Sequence, residues 1–324
     1  MKINIVQAVN LALKQEMKKD KSVVVLGEDV GRNGGVFRAT EKLIKLYGDE
    51  RVIDTPLSEA GIIGSSIGLA VSGMKPVAEI QFSGFVYSAL DQLISHAARI
   101  RTRTRGKFTC PLVVRTPYSG GIHAPEHHSE SMEALYAHVP GLKVVIPSTP
   151  YDTKGLLISS IRDPDPVIFF EPKKIYRSIK QDVPDKSFIV PLSKAAVRQE
   201  GEDMTLIAWG SMMVQTLEAA EKLKEKNINT EVIDIRTIYP LDEDTILKSV
   251  RKTGRAIIIH EAPKFGGVGA EIAAIINEKA IMSLNGPVKR ITGFDTPIPL
   301  AKMENYYLPS IKKIVKNAEN LMRF

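Results

Sequence analysis

Short apolar runs recur through the first half of this sequence, most of them separated by stretches long enough for a helix. They are Val23 to Leu26, Val52-Ile53, Val77 to Ile80, Leu112 to Val114, Val144 to Ile146 and Val167 to Phe170. The runs are apolar throughout instead of alternating with polar residues, so their strands must be covered on both faces. That requirement selects a parallel sheet flanked by helices. Val6, Val9, Leu13 and Met17 fall on one helical face ahead of the first run. Thr149 as N-cap, Pro150 at the first helical position and Asp152 three residues after the cap open a helix that runs to about Arg162. From Glu171 to Asp203 the chain turns polar and irregular, with Pro172, Pro184 and Pro191 spaced through it, as a connection between domains does. A second α/β pattern follows. Thr205 to Ala208, Glu231 to Ile235 and Ala256 to Ile259 read as strands, alternating with helices over 213–226, 242–251 and 270–282. The right-handed crossover rule makes this second unit a small, separately folded parallel sheet. Two domains suit a chain of 324 residues, divided here as 1–185 and 186–324.

Several functional classes lack sequence support. The longest uncharged stretch, Ala60 to Met74, is rich in Gly and Ser and falls short of the ~20 apolar residues that span a bilayer. The first residues mix Asn4, Gln7 and Asn10 into their apolar positions and do not read as a signal peptide, so a cytoplasmic protein is expected. A single cysteine, Cys110, excludes an internal disulfide and a cysteine-based zinc site. The net charge is +7, and five basic residues (Arg99, Arg101, Arg103, Arg105, Lys107) lie in one stretch without an acid. No aromatic lies between them for base stacking, so the strip reads as solvated or subunit-facing and not as a nucleic-acid site. There is no GxxxxGK[ST] loop, no GxSxG elbow, and the first strand is followed by Gly27-Glu28-Asp29-Val30-Gly31 in place of GxGxxG.

Two clusters could carry chemistry. In Asp54-Thr55-Pro56-Leu57-Ser58-Glu59-Ala60-Gly61 a carboxylate opens a helix, where the helix dipole alone accounts for it. In Gly120-Gly121-Ile122-His123-Ala124-Pro125-Glu126-His127-His128-Ser129-Glu130 three of the six histidines gather. His123 and His127 have the spacing of a helical metal pair, but Pro125 opposes the helix, and a loop carrying imidazoles into a cleft is the expectation. His96 reads as a helix-surface or interface residue, and His138 and His260 as structural.

Longer segments carry a resemblance to a known family. Asp54-Thr55-Pro56-Leu57-Ser58-Glu59, Ala78-Glu79-Ile80-Gln81-Phe82, His128-Ser129 and Pro140-Gly141-Leu142-Lys143-Val144-Val145-Ile146-Pro147 are among them. Pro166-Val167-Ile168-Phe169-Phe170-Glu171-Pro172 and Asp234-Ile235-Arg236-Thr237-Ile238-Tyr239-Pro240-Leu241-Asp242 extend the match over the whole chain. The chain resembles the β subunit of the thiamine-diphosphate-dependent decarboxylase component of 2-oxoacid dehydrogenase complexes, of the pyruvate and branched-chain type. The resemblance implies a transketolase-like pyrimidine-binding domain followed by a transketolase C-terminal domain. It places Glu59 at the cofactor's aminopyrimidine N1′, where a carboxyl group relays a proton. An acid in that role works best where burial lifts a carboxyl from its ordinary ~4.3 towards neutrality. Leu57, Gln81 and Phe85 are implied contacts to the pyrimidine, and His128 is implied to assist when the acyl group passes to lipoamide, with His127 able to share that role. A potassium ion is implied at Cys110, Leu112, Val113, Ser160, Asp163 and Asp165, of which only the two aspartates are hard-cation ligands by residue type.

No Gly-Asp-Gly segment, by which the family holds Mg²⁺ and the diphosphate, occurs here. The resemblance therefore implies a separate α subunit that binds Mg²⁺, in an α2β2 assembly sharing thiamine diphosphate. It also implies docking to a dihydrolipoyl acyltransferase core through the region ending at Phe324, with a small 2-oxo acid as substrate. Three alternatives stay open: half of another split thiamine-diphosphate enzyme (acetoin dehydrogenase or transketolase), a basic scaffold built on Arg99 to Lys107, and a histidine-metal hydrolase.

Overall fold

A computed structural model describes the whole chain, Met1–Phe324. Its larger sheet has seven strands in the spatial order Thr237–Tyr239, Lys143–Val145, Val167–Pro172, Val113–Tyr118, Lys75–Glu79, Val23–Gly27 and Val52–Asp54. All pairs are parallel except the first, where Thr237–Tyr239 runs antiparallel to Lys143–Val145. Along Val167 to Phe170 successive side chains enter opposite cores. Val167 and Phe169 pack with the helices Ile5–Lys19 and Pro150–Arg162, while Ile168 and Phe170 pack with the helix Glu59–Val71. Burial on both faces is what the uninterrupted apolar runs require. At the expected N-cap, Thr149 Oγ1 accepts from the Asp152 amide at 3.1 Å, which gives one otherwise unpaired helix-end donor a partner.

The second sheet is ordered Lys289–Ile291, Ala256–Ile259, Met204–Ala208, Thr230–Asp234, Ala196–Gln199. Its last strand is antiparallel, so this sheet is mixed and not purely parallel. One face is covered by the helices Met212–Lys224 and Ile311–Leu321. The other face corrects the expectation of a separately folded unit. Ile207, Trp209, Ile233 and Ile258 belong to the same continuous core as Ile63, Ile168 and Phe170 of the first sheet.

The two halves are further joined by buried charges. Asp152, on the Pro150–Arg162 helix, pairs with Arg198 and, at 2.9 Å, with Arg236; Arg198 also reaches Asp234 at 2.7 Å. Burial works to raise the Asp152 pKa, but the two guanidiniums outweigh it and hold the carboxyl below its ordinary value.

Candidate active site

Glu59 is the first residue of its helix, and Ser58 caps that helix by accepting from the Gly61 amide at 3.4 Å. Its carboxylate is also reached from outside the helix. Ser88 Oγ lies 3.2 Å from Glu59 Oε2 and 2.9 Å from the Phe85 carbonyl, so one hydroxyl proton serves both acceptors. Glu28, just beyond the strand Val23–Gly27, shares this corner. Its pKa is raised, first by burial and then by the charges of Asp29 and Glu59. Sequence reasoning passed over Glu28, although two acids directly after a buried strand were a visible signal.

Gln81 and Phe82 follow the strand Lys75–Glu79, and a tight helical segment, Ser83–Ala89, carries Phe85. The ring of His128 sits 4.2 Å from that of Phe82 and 5.2 Å from that of Phe85. Phe82 and Phe85 meet edge to face at 6.1 Å, a favoured geometry for aromatic pairs. Glu59, Gln81, Phe85 and His128 are half-buried, whereas Leu57 is 72% exposed, an apolar side chain left for something else to cover. An aromatic shelf, a carboxylate and an uncovered aliphatic side chain suit a flat heteroaromatic ring with a basic nitrogen, and a thiamine pyrimidine is such a ring.

The histidine segment forms a loop and no helix, in line with Pro125. Ser119 N donates to the Glu130 carbonyl at 3.1 Å and closes it. His123 and His127 take left-handed backbone angles, φ 56° and 65°. His128 Nδ1 lies 2.8 Å from the Glu126 carbonyl. Gly84 lies directly beneath the loop: a Cβ there would stand 2.9 Å from the carbonyl carbon and Cα of His127 and closer still to its oxygen. The base of the loop is held by three side chains that sequence reasoning missed. Lys173 Nζ donates to the Ser119 carbonyl, Gly120 N donates to Glu261 Oε2 at 2.9 Å, and Glu304 accepts from the amides of Gly121 and His123. Burial lowers the Lys173 pKa to about 8 despite the nearby charges of Glu261, Glu304 and Glu130.

The residues implied for potassium converge around two helix-to-strand loops, those entering the strands Val113–Tyr118 and Val167–Pro172. Cys110 N donates to the Pro164 carbonyl at 3.1 Å, Val167 N to that of Leu112 at 2.9 Å, and Asp163 N to that of Ser160 at 3.2 Å. Both aspartates are already engaged by the chain's own cations: Lys143 Nζ takes the two Asp163 oxygens at 2.7 and 2.6 Å, and Arg101 Nε takes Asp165 at 2.7 Å. Burial first, then the Asp165 charge, pushes the Cys110 thiol up to about 12, so it is protonated and a poor ligand. Any ion here would therefore rest on main-chain carbonyls, each of which has a second lone pair free.

The remaining histidines lie apart from this corner. His96 and His138 are exposed. His260 is buried and stacked at 5.1 Å on Trp209, and burial lowers its pKa to about 4. Arg99, Arg103, Arg105 and Lys107 are exposed. No helix is long and apolar enough to cross a membrane.

Fold and site together define a transketolase-type protein. Residues 1–178 match the family model described as "Transketolase, pyrimidine binding domain", and residues 193–314 match "Transketolase, C-terminal domain". A solved structure titled "Split gene transketolase, inactive beta4 tetramer" superimposes with a TM-score of 0.82 over 99% of this chain and 98% of that one, at 20% identity, which shows a shared fold. The pyruvate dehydrogenase E1 component subunit beta of Acholeplasma laidlawii is 50% identical over 99% of this chain and 98% of its own length. Its counterpart from Bacillus subtilis (strain 168) is 50% identical over 99% of both. The chain belongs to this family of pyruvate dehydrogenase E1 β subunits.

Proposed function

We propose that this chain is the pyrimidine-side subunit of a thiamine-diphosphate-dependent 2-oxo acid dehydrogenase. It would catalyse oxidative decarboxylation and reductive acylation of a lipoyl group, and the names of its relatives favour pyruvate over a branched-chain acid. The observation that carries the reading is the meeting of Glu59, held by Ser88, with the Phe82, Phe85 and His128 rings at one half-exposed corner. When bound, thiamine diphosphate supplies the electron sink for loss of carbon dioxide.

Glu59 would hold and return a proton at the pyrimidine N1′. Phe85 would cover the ring, with Gln81 and Leu57 completing the contact. His128 would give a proton to the lipoyl sulfur that leaves when the dithiolane S–S bond opens during acyl hand-off, with His127 beside it able to share that role. The division of labour falls at 185/186: residues 1–185 bind the pyrimidine, and 186–324 support the loop and dock a dihydrolipoyl acyltransferase core. An α subunit would supply the Mg²⁺ and diphosphate half of the site in an α2β2 assembly. Potassium would be held by the carbonyls of Cys110, Leu112, Val113 and Ser160, with Asp163 and Asp165, paired to Lys143 and Arg101, beside it as nearby negative charge. A melting temperature of the assembled protein that rises with potassium but not with sodium supports that ion.

Calorimetry with thiamine diphosphate and Mg²⁺, on the chain alone and on the chain co-purified with an E1 α subunit, tests the whole reading. Binding only in the mixture is expected. Tight binding by the lone chain overturns the shared site, and no binding in either overturns the cofactor. A substrate panel then separates pyruvate from branched-chain acids, and consumption of a sugar phosphate in place of lipoamide would favour the transketolase alternative.

A further inference from the structure

The loop that carries His128 has no regular structure of its own, and the second domain grips it near its start. Glu304, in the short helix Glu304–Tyr307, is 1% exposed. Its Oε1 accepts from Gly121 N at 2.6 Å and its Oε2 from His123 N at 2.7 Å, two charge-assisted bonds to one three-residue stretch. Close approach depends on Gly120, where a Cβ would stand 2.8 Å from Glu304 Oε1. A third tie runs in the same direction: His123 Nδ1 lies 2.6 Å from the Ala301 carbonyl, just ahead of that helix. Beyond His123 the loop has fewer holds, chiefly the local turn of His128 onto Glu126 and Pro125 and the closure at Glu130.

We infer that Glu304 is a positioning residue for His128: by gripping Gly121 and His123 it sets where the loop presents the imidazole, and so ties the acyl hand-off to the second domain. The Glu59 carboxylate does not depend on this grip, since it is held by its own helix and by Ser88. The inference rests on the role proposed above for His128. Replacing Glu304 by glutamine keeps the size but opposes an amide NH₂ to one of the two backbone donors. That loses one acceptor in a buried place and leaves a donor unsatisfied.

The test uses the assembled α/β protein and the Glu304→Gln variant with two readouts. One is hydrogen exchange of the amides at residues 120–123. The other is the ratio of lipoyl-domain acylation to decarboxylation followed with an artificial electron acceptor. The expected result is faster exchange at Gly121 and His123, with a ratio about tenfold lower than in the parent. Unchanged exchange overturns the grip. Faster exchange with an unchanged ratio overturns its bearing on His128. If His128→Ala also leaves the ratio unchanged, the role of the histidine itself fails and the inference with it. A ratio that moves with His128→Ala but not with Glu304→Gln overturns the inference alone.

Discussion

Gly84→Ala should damage catalysis more than stability. The added Cβ would stand 2.9 Å from two His127 backbone atoms and closer still to the carbonyl oxygen, where ordinary contact begins at 3.4 Å. The neighbours are backbone and cannot swing aside as a side-chain tip would. Either the histidine loop retreats or the Ser83–Ala89 segment does, by about 0.5 to 1 Å, at a cost of about 1–3 kcal/mol. Retreat of the loop carries His128, and retreat of the segment carries Phe85, so either way the 5.2 Å pairing of the two rings is lost. Misplacement on that scale costs on the order of 100-fold in rate when it affects positioned catalytic groups. The assay is lipoamide-dependent turnover of the variant assembled with an E1 α subunit, beside thermal unfolding. A loss of about 10- to 100-fold with a melting temperature lowered by a few degrees is expected. Turnover within about twofold of the parent would refute the packing argument.

Glu59→Gln should fold and assemble but lose decarboxylation by about 10²- to 10⁴-fold, the usual worth of a positioned proton carrier; near-normal rates in the artificial-acceptor assay would remove Glu59 from the chemistry. His128→Ala should depress lipoyl acylation more than decarboxylation, and equal damage to both would place the histidine earlier in the reaction. Arg198→Ala should cost about 3–5 kcal/mol, because it strips a partner from Asp234 and Asp152, 0% and 1% exposed, and lower the melting temperature by roughly 6–10 °C. Asp152 has a folded pKa below its unfolded value, so its share of that stability is present above about pH 4 and is lost as pH falls through the folded value. The difference between parent and variant should therefore narrow in acid, and a constant difference down to pH 3 would refute the ion-pair account.

The strands were readable wherever burial imposed a pattern on neighbouring residues. Val167 to Phe170 must fill two cores at once, so all four are apolar, and the Thr149 cap is local chemistry within four residues. Thr237–Tyr239 left no such pattern, since it is three residues long and sets one buried aliphatic side chain, Ile238, between Thr237 and the exposed Tyr239. Glu59 on its own reads as a helix-end acid, which it is; the role proposed for it rests on the family resemblance and not on spacing. Gly120 and Gly121 were visible, but not the reason for them, because the carboxylate they admit lies 183 residues from Gly121. The loop itself was legible through Pro125, which opposes a helix running from His123 through His127 by removing a backbone donor and crowding the preceding turn.

The antiparallel edge strand Thr237–Tyr239 has a consequence for biosynthesis. Until residue 239 has left the ribosome, Lys143–Val145 is the open margin of the large sheet, with backbone donors and acceptors facing solvent. A nascent or truncated chain ending near 185 would thus expose a sticky ribbon suited to pairing with another copy of itself. In the full chain Thr237–Tyr239 covers that margin, and expression of residues 1–185 alone should yield aggregates.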